Sequence, residues 1–538
     1  MPSNARPASQ AGETHQGPAS APVYRLPNET LAKILKLVKD FPDEDPSSRS
    51  YRVFTLIHVC RWWREVVLND PHFWTRIHLA RIQVAELFFK LSQTLNVGVM
   101  SDLLNVANID QFLKTITPHE ARISALKLHF DGSARRGQVE KVLSNLFSMP
   151  LKNLRHLDID SPRDASYLGL LQVPFTPDRA HLQTLSLRCA LIHHDSFIYR
   201  GLRRLFISIA MDKKKGSFNT RTTLLLLLEC PELEDLVLLN MLNDDIDWSF
   251  DSQQSVQPLT VELSRLKRLC LIDQTYEMAC LLSCLILPEF TRLSISTSLG
   301  DRLPEEDSSL RSRGLPLSGD NLACLSQISS LFLECDATSM STYLEGRRDD
   351  ISVLDLSVRW SHRTFQRALS DWLFLARSFL AASVRSFTIL TTNTKVRPKD
   401  WSTLFQAFPS ITSVTIPSRN IKTGSSIYEG FMQVIVAIGG SQAPNDPLIF
   451  PQLSELEVCG FRRDQSIYNA LTRSLGSRAA KGAPRLKRLI LKDVSVGCEE
   501  PKYDFSEYSE ETIVGRDDIE GNEKKRVGDD SDSYAKEE

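Results

Sequence analysis

Cysteine is scarce in this sequence, ten in 538 residues with no CxxC pair. That excludes a disulfide framework and makes a reducing compartment, cytoplasm or nucleus, the expected location. Net charge is nearly absent too: 64 basic side chains stand against 66 acidic ones, so nothing draws the whole chain to nucleic acid or to an anionic membrane. No apolar run approaches the roughly 18 residues of a membrane span, and the opening residues lack the apolar stretch of a signal-peptide core. None of the 23 glycines builds a GxGxxG turn, a GxSxG elbow or a phosphate loop. Cys280 and Cys284 have no companion pair at ligand spacing and read as helix packing. His193, His194 and Asp195 have no nucleophile beside them and read as a solvated turn, and Lys213, Lys214 and Lys215 as an exposed loop. The sequence thus offers no catalytic, cofactor or metal site, and the expectation is a chain that is not an enzyme.

What remains is an ordinary globular composition between two biased ends. Residues 1–22 hold four prolines and almost no large apolar side chain, too little to offset the entropy of ordering, and are expected to be disordered. Residues 499–538 carry 15 acidic and 6 basic side chains and are expected to be a solvated acidic tail, which leaves the rest of the chain at +7. Within that tail, Lys524, Lys525 and Arg526 form a basic cluster, and Ser531 and Ser533 sit among acids.

Residues 24–80 read as two or three short amphipathic helices. In LPNETLAKILKLV, Leu31, Ile34, Leu35 and Val38 recur at helical spacing, Pro27 suits a first turn, and Glu29 complements the positive helix start. DFPDEDPSSRS at 40–50 breaks the pattern. The pattern resumes at Val53, Leu56, Ile57 and Cys60, then at Trp63 and Val67, and Pro71 closes it. So small a bundle has little core and needs a neighbour or a partner. LPNETLAKILKLV, LIHVCRWWREVV and NDPHFWTRI together resemble an F-box, with Leu26, Pro27, Glu29, Leu31, Ile34, Val59, Cys60, Trp63 and Trp74 on its pattern. Thr30 stands where that pattern has an aliphatic residue, Phe73 replaces a leucine, and the 40–50 insertion is long, as in F-box-like variants. The resemblance implies contact with a Skp-type adaptor by Leu26, Pro27, Leu31, Ile34 and Trp63. The other reading of the same residues is a helical cap on the following domain.

Beyond a helical linker at 81–119, one element recurs thirteen times: apolar, two of any kind, apolar, one of any kind, apolar. It runs from Ile123/Leu126/Leu128 to Leu486/Leu489/Leu491 at a mean spacing of 30 residues. The last two apolar positions have the period of a half-buried strand. Five copies follow a proline (Pro231, Pro288, Pro409, Pro451, Pro484), and helical stretches such as 222–229, 276–287, 361–381 and 427–438 lie between copies. Strand then helix, repeated, predicts parallel strands stacked in chain order with helices on one side. Residues 120–497 resemble a leucine-rich repeat, although no copy has the asparagine or cysteine expected five residues past the central position. An ordinary doubly wound α/β domain is the competing fold. The row before the central position holds His156, Arg204, Arg268, Arg292 and Arg488, interrupted by Asp235 and Glu455, a partly basic strip suited to an acidic or phosphorylated partner.

The expected fold class is therefore α/β: a small helical F-box-like bundle, then an irregular leucine-rich-repeat solenoid or horseshoe. Together the two parts resemble substrate receptors of SCF ubiquitin ligases, which implies a Skp-type adaptor and cullin complex as partners, an unidentified protein substrate, and ubiquitin-dependent degradation as the outcome. The alternative is a leucine-rich-repeat scaffold outside any ligase.

Overall fold

The computed structural model describes residues 25–40, 46–104, 109–130, 136–161, 170–171, 182–193, 197–209, 219–242, 259–273, 275–298, 321–336, 339–359, 384–392, 396–417, 426–440, 447–461, 465–493 and 504–516. Residues 1–22, the 361–381 helix, Lys213–Lys215, His194, Asp195, Lys524–Arg526, Ser531 and Ser533 lie outside them. The chain divides into two compact units, Met1–Ser101 and Asp102–Glu538.

The first unit is helical at its start: α1 Asn28–Asp40, α2 Pro46–Val59 and α3 Arg61–Asn69, then a 3₁₀ turn at Pro71–Trp74. The helix resumes at Pro46, seven residues before the resumption read from the pattern, because proline is at home in a first turn. α2 and α3 break at Cys60, whose backbone is extended and whose sulfur accepts the Trp63 N–H at 3.4 Å. Cysteine and tryptophan three apart are thus a helix cap and the residue it caps. Asp70 caps the 3₁₀ turn by accepting the His72 N–H at 3.0 Å. Strand β1 (Arg76–His78) and helix α4 (Ile82–Leu91) follow. β1 then pairs in parallel with β2 (Val97–Leu104), Ile77 opposite Val99. The stretch expected as a helical linker therefore holds a strand as well as helices, because VGVM puts valines at period two.

The second unit is a large, mostly parallel sheet with helices packed on it. Its first helices are α5 (Ile109–Ile116), α6 (Arg136–Ser148), α7 (Thr220–Leu228) and α8 (Thr275–Ser283), and its strands in chain order are β3 Ile123–Phe130, β4 His156–Asp160, β5 Thr184–Arg188, β6 Arg204–Ser208, β7 Asp235–Leu239, β8 Arg268–Asp273, β9 Arg292–Ser298, β10 Ser330–Asp336, β11 Ser341–Arg348, β12 Ile351–Arg359, β13 Ser386–Thr391, β14 Ser413–Ile416, β15 Glu455–Phe461, β16 Leu486–Asp493 and β17 Ser509–Arg516. The last two apolar positions of every recurring element lie on one of these strands, and the central positions fall opposite one another. Leu126, Leu157, Leu185, Leu205, Leu236, Leu269, Leu293 and Leu354 form one continuous row, with Leu128 through Leu356 two residues on. Both rows are buried. Backbone bonds stitch the leading ends. The Arg155 carbonyl accepts the N–H groups of Gln183 and Thr184 at 2.8 and 3.0 Å, and Gln183, Arg203, Glu234, Arg385, Thr412 and Ser454 repeat the arrangement. This supplies inter-strand continuity without any asparagine row.

Stacking in chain order fails at one place. Beside β9 lies β12, then β11, then β10, and β13 follows, with β11 antiparallel to both neighbours. Two tight reversals, at left-handed Met340 and Asp349, return β12 to the common direction. The apolar rows cross this insertion through Leu344 and Gly346, which face Leu333 and Leu331 on one side and Leu356 and Leu354 on the other. Gly346 packs tightly here, because a Cβ would meet the Ile328 Cδ1 at 2.6 Å and that side chain, wholly buried, would have to shift. Gly346→Val will destabilise the second unit by about 1–3 kcal/mol, and trimming the obstacle with Ile328→Ala will recover part of the loss in denaturant unfolding.

The helices cover the buried rows. Phe387 of β13 meets Phe405 of α9 (Pro398–Gln406) edge-on at 6.1 Å. α10 (Ser426–Gly439) and α11 (Gln465–Ala480) approach so closely that a Cβ on Gly439 would lie 2.7 Å from the Ser474 backbone. Arg478 of α11 is buried with its guanidinium donating to the carbonyls of Ile449 and Phe450, and burial holds its pKa down at about 10. Within the stretch expected to be an acidic tail, residues 506–508 form a turn and β17 adds a parallel strand to β16, Thr512 opposite Leu489.

Candidate functional site

The apolar residues of α1 do not share one face. Leu31 and Leu35, four apart, are buried, and Lys39 continues their stripe inward. Ile34, Leu37 and Val38 form a second stripe turned to solvent, with 41%, 73% and 47% of their surface exposed. Val59, at the end of α2, is 55% exposed. The five residues expected at a partner surface therefore separate. Pro27 and Ile34 are exposed, Leu26 and Trp63 are half-buried, and Leu31 belongs to the core, where its N–H also bonds the Pro27 carbonyl at 3.0 Å. Reading Leu31, Ile34, Leu35 and Val38 as one face is corrected, because 34 and 38 lie on the flank opposite 39. Leu37 lies outside the pattern of Leu31, Ile34, Leu35 and Val38. Its signal was a surplus, since five apolar residues within eight positions are more than one buried stripe holds.

Large aromatics fix the platform beneath this stripe. Trp74 is wholly buried, donates its indole N–H to the Val67 carbonyl at 3.0 Å, and meets Phe88 edge-on at 4.9 Å. Trp62 donates to the Asn28 side chain at 2.8 Å and so ties α3 to the start of α1. Lys36 pairs with Asp70 at 2.7 Å, and Lys36 and Lys39 both lie over the Phe73 ring.

Lys39 is the unusual cation. Its ammonium is buried and donates to the Phe73 carbonyl at 2.8 Å. Burial holds its pKa down at about 8, with Asp40 opposing and Arg76 and Lys36 reinforcing the effect. The folded chain thus sheds this proton at lower pH than the unfolded chain, and stability from this group rises as pH climbs from about 8 toward the ordinary lysine value of 10.5. Denaturant unfolding at pH 7 and pH 9.5 will show wild type gaining about 2 kcal/mol relative to Lys39→Met, and equal pH responses would contradict this assignment.

Residues 23–80 match the family model described as F-box-like. They are an F-box-like domain. No curated protein matches the chain in sequence. The exposed stripe of α1, Pro27 and Val59 all belong to the F-box-like domain, whose fold keeps apolar surface outside its own core.

On the sheet of the second unit the basic strip is largely neutralised. Arg268 forks onto Asp235 at 2.7 Å, Arg292 lies 3.6 Å from Asp355, and Arg488 sits between Glu455 and Glu511 at 3.8 and 3.3 Å. Adjacent strands set Asp235 beside Arg268, and Glu455 and Glu511 beside Arg488, in one row, whereas Asp355 lies opposite Ser294 and meets Arg292 on the diagonal. His156 and Arg204 keep no acidic partner among the described residues, and burial with the charges of Arg204 and Arg155 holds the His156 imidazole below its ordinary range. Among the described residues no group of His, Cys, Asp and Glu side chains is arranged to hold a metal ion, and no helix is long and apolar enough to cross a membrane.

Proposed function

We propose that this chain is the substrate-recognition subunit of an SCF-type ubiquitin ligase, acting in the cytoplasm or nucleus. The F-box-like domain docks on a Skp-type adaptor, which links it to cullin, and the second unit, an irregular leucine-rich-repeat solenoid, holds the target protein. The chain itself makes and breaks no bond. It raises the local concentration of target lysines beside a charged conjugating enzyme, so catalysis is by proximity. The observation that carries the reading is the unfilled apolar stripe Ile34, Leu37 and Val38 within the F-box-like domain. The in-register leucine rows of β3–β9 and the stitched leading ends support the repeat assignment.

The test is co-expression of the full chain with a Skp-type adaptor, followed by size-exclusion chromatography. A one-to-one complex that survives dilution to micromolar concentration is expected. Separate elution of the two proteins would favour a scaffold outside any ligase.

A further inference from the structure

Among the described residues, a further group of cations is only weakly neutralised. Across the leading ends of β4, β5 and β6 runs a groove of about 490 Å³ lined by Lys152, Asn153, Arg155, Gln183, Arg203 and Glu232. Glu232 is engaged by Arg265. Arg203 has only Glu234, at 3.8 Å, and that carboxylate is held at 2.7 Å by Lys267. Lys152 and Arg155 have no acidic partner among the described residues, and the Gln183 amide has no hydrogen-bond partner among them. Further along the sheet face, by contrast, Arg268, Arg292, Arg347, Arg488 and Lys492 all carry carboxylate partners.

The spacing suits a ligand that carries several anions. The residues after Arg155, Gln183 and Arg203 lie opposite one another on adjacent strands, so the Arg155 and Arg203 backbones are two strand separations, about 10 Å, apart. Carboxylates three residues apart on an extended polyproline-II segment, with three residues per turn and about 3.1 Å per residue, share one side at about 9 Å and match it.

We propose that this groove binds an extended Asp/Glu-rich segment of a partner protein, with successive acidic side chains on Arg155 and Arg203 and a third near Lys152. The proposal rests on the reading that the second unit holds polypeptide, and it names the chemistry of what is held. The salt-sensitive, charge-assisted contacts it invokes are strongest where no competing acid is already seated.

The test uses the full chain and a fluorescein-labelled peptide of four Glu-Ser-Ser repeats, with four Gln-Ser-Ser repeats as control, read by anisotropy at fixed ionic strength. The glutamate peptide is expected to bind at least about tenfold more tightly than the glutamine one. Arg155→Glu combined with Arg203→Glu is expected to weaken it by at least about tenfold, with the circular-dichroism melt unchanged. Lys487→Glu, on the equivalent row near the far end of the sheet, is expected to change it less than about twofold. Equal affinity for the two peptides, or equal loss with Lys487→Glu, would overturn the proposal. So would displacement by millimolar inorganic phosphate at matched ionic strength, which would mark a point site for phosphate. Adaptor binding is measured on the same variants. Its retention alongside failed peptide binding removes the groove proposal alone, whereas its absence in wild type removes the ligase reading and leaves the groove result standing.

Discussion

Ile34→Asp combined with Leu37→Asp will weaken binding of a Skp-type adaptor by about 100-fold or more, while the thermal unfolding midpoint of the chain moves by only a few degrees. The reasoning is geometric. Both side chains are already in water in the free chain, so charging them costs the fold little. In the proposed complex the same carboxylates would be buried against the adaptor, and burying a charge without a partner costs several kcal/mol. Isothermal titration with purified adaptor, alongside a melt of each variant, checks both halves. Undiminished binding would remove α1 from the interface.

Trp74→Ala has the opposite signature. The indole is wholly enclosed, its N–H is satisfied by Val67, and its ring contacts Phe54 and Phe88. Truncation leaves a large cavity and an unsatisfied carbonyl, a loss of about 3–5 kcal/mol in a unit with a small core. Adaptor binding will fall because the domain unfolds, and low temperature or a stabilising co-solvent will partly restore it. Neither will restore the aspartate double variant. The pair separates the residues that build the platform from the residues that present the surface.

Why some of this was legible in the sequence and some was not follows from where each constraint acts. The leucine rows were legible because a strand buried on one face repeats every two residues, and β3–β9 obey that without interruption. β11 was not, because it runs backward and carries Gly346 where its neighbours carry a leucine. β17 was hidden by composition. Its row positions are Thr512 and Val514, both exposed, since no described strand covers it and an edge tolerates acids such as Glu510 and Glu511. The cancelling charges of Asp235 and Arg268 were readable in principle, because register sets residues 33 apart side by side. On α1, periodicity found the helix but not which flank was inward. That choice is made by Phe73, which takes Lys39 beneath its ring and carbonyl, a contact 34 residues away that no local pattern encodes.

Hydrogen–deuterium exchange of the full chain, with and without a saturating Skp-type adaptor, reads the docking surface directly. Slowed exchange confined to residues 27–40 and the end of α2 near Val59 is the predicted outcome. Protection confined to the sheet of the second unit, with α1 unchanged, would contradict the assignment of the adaptor surface.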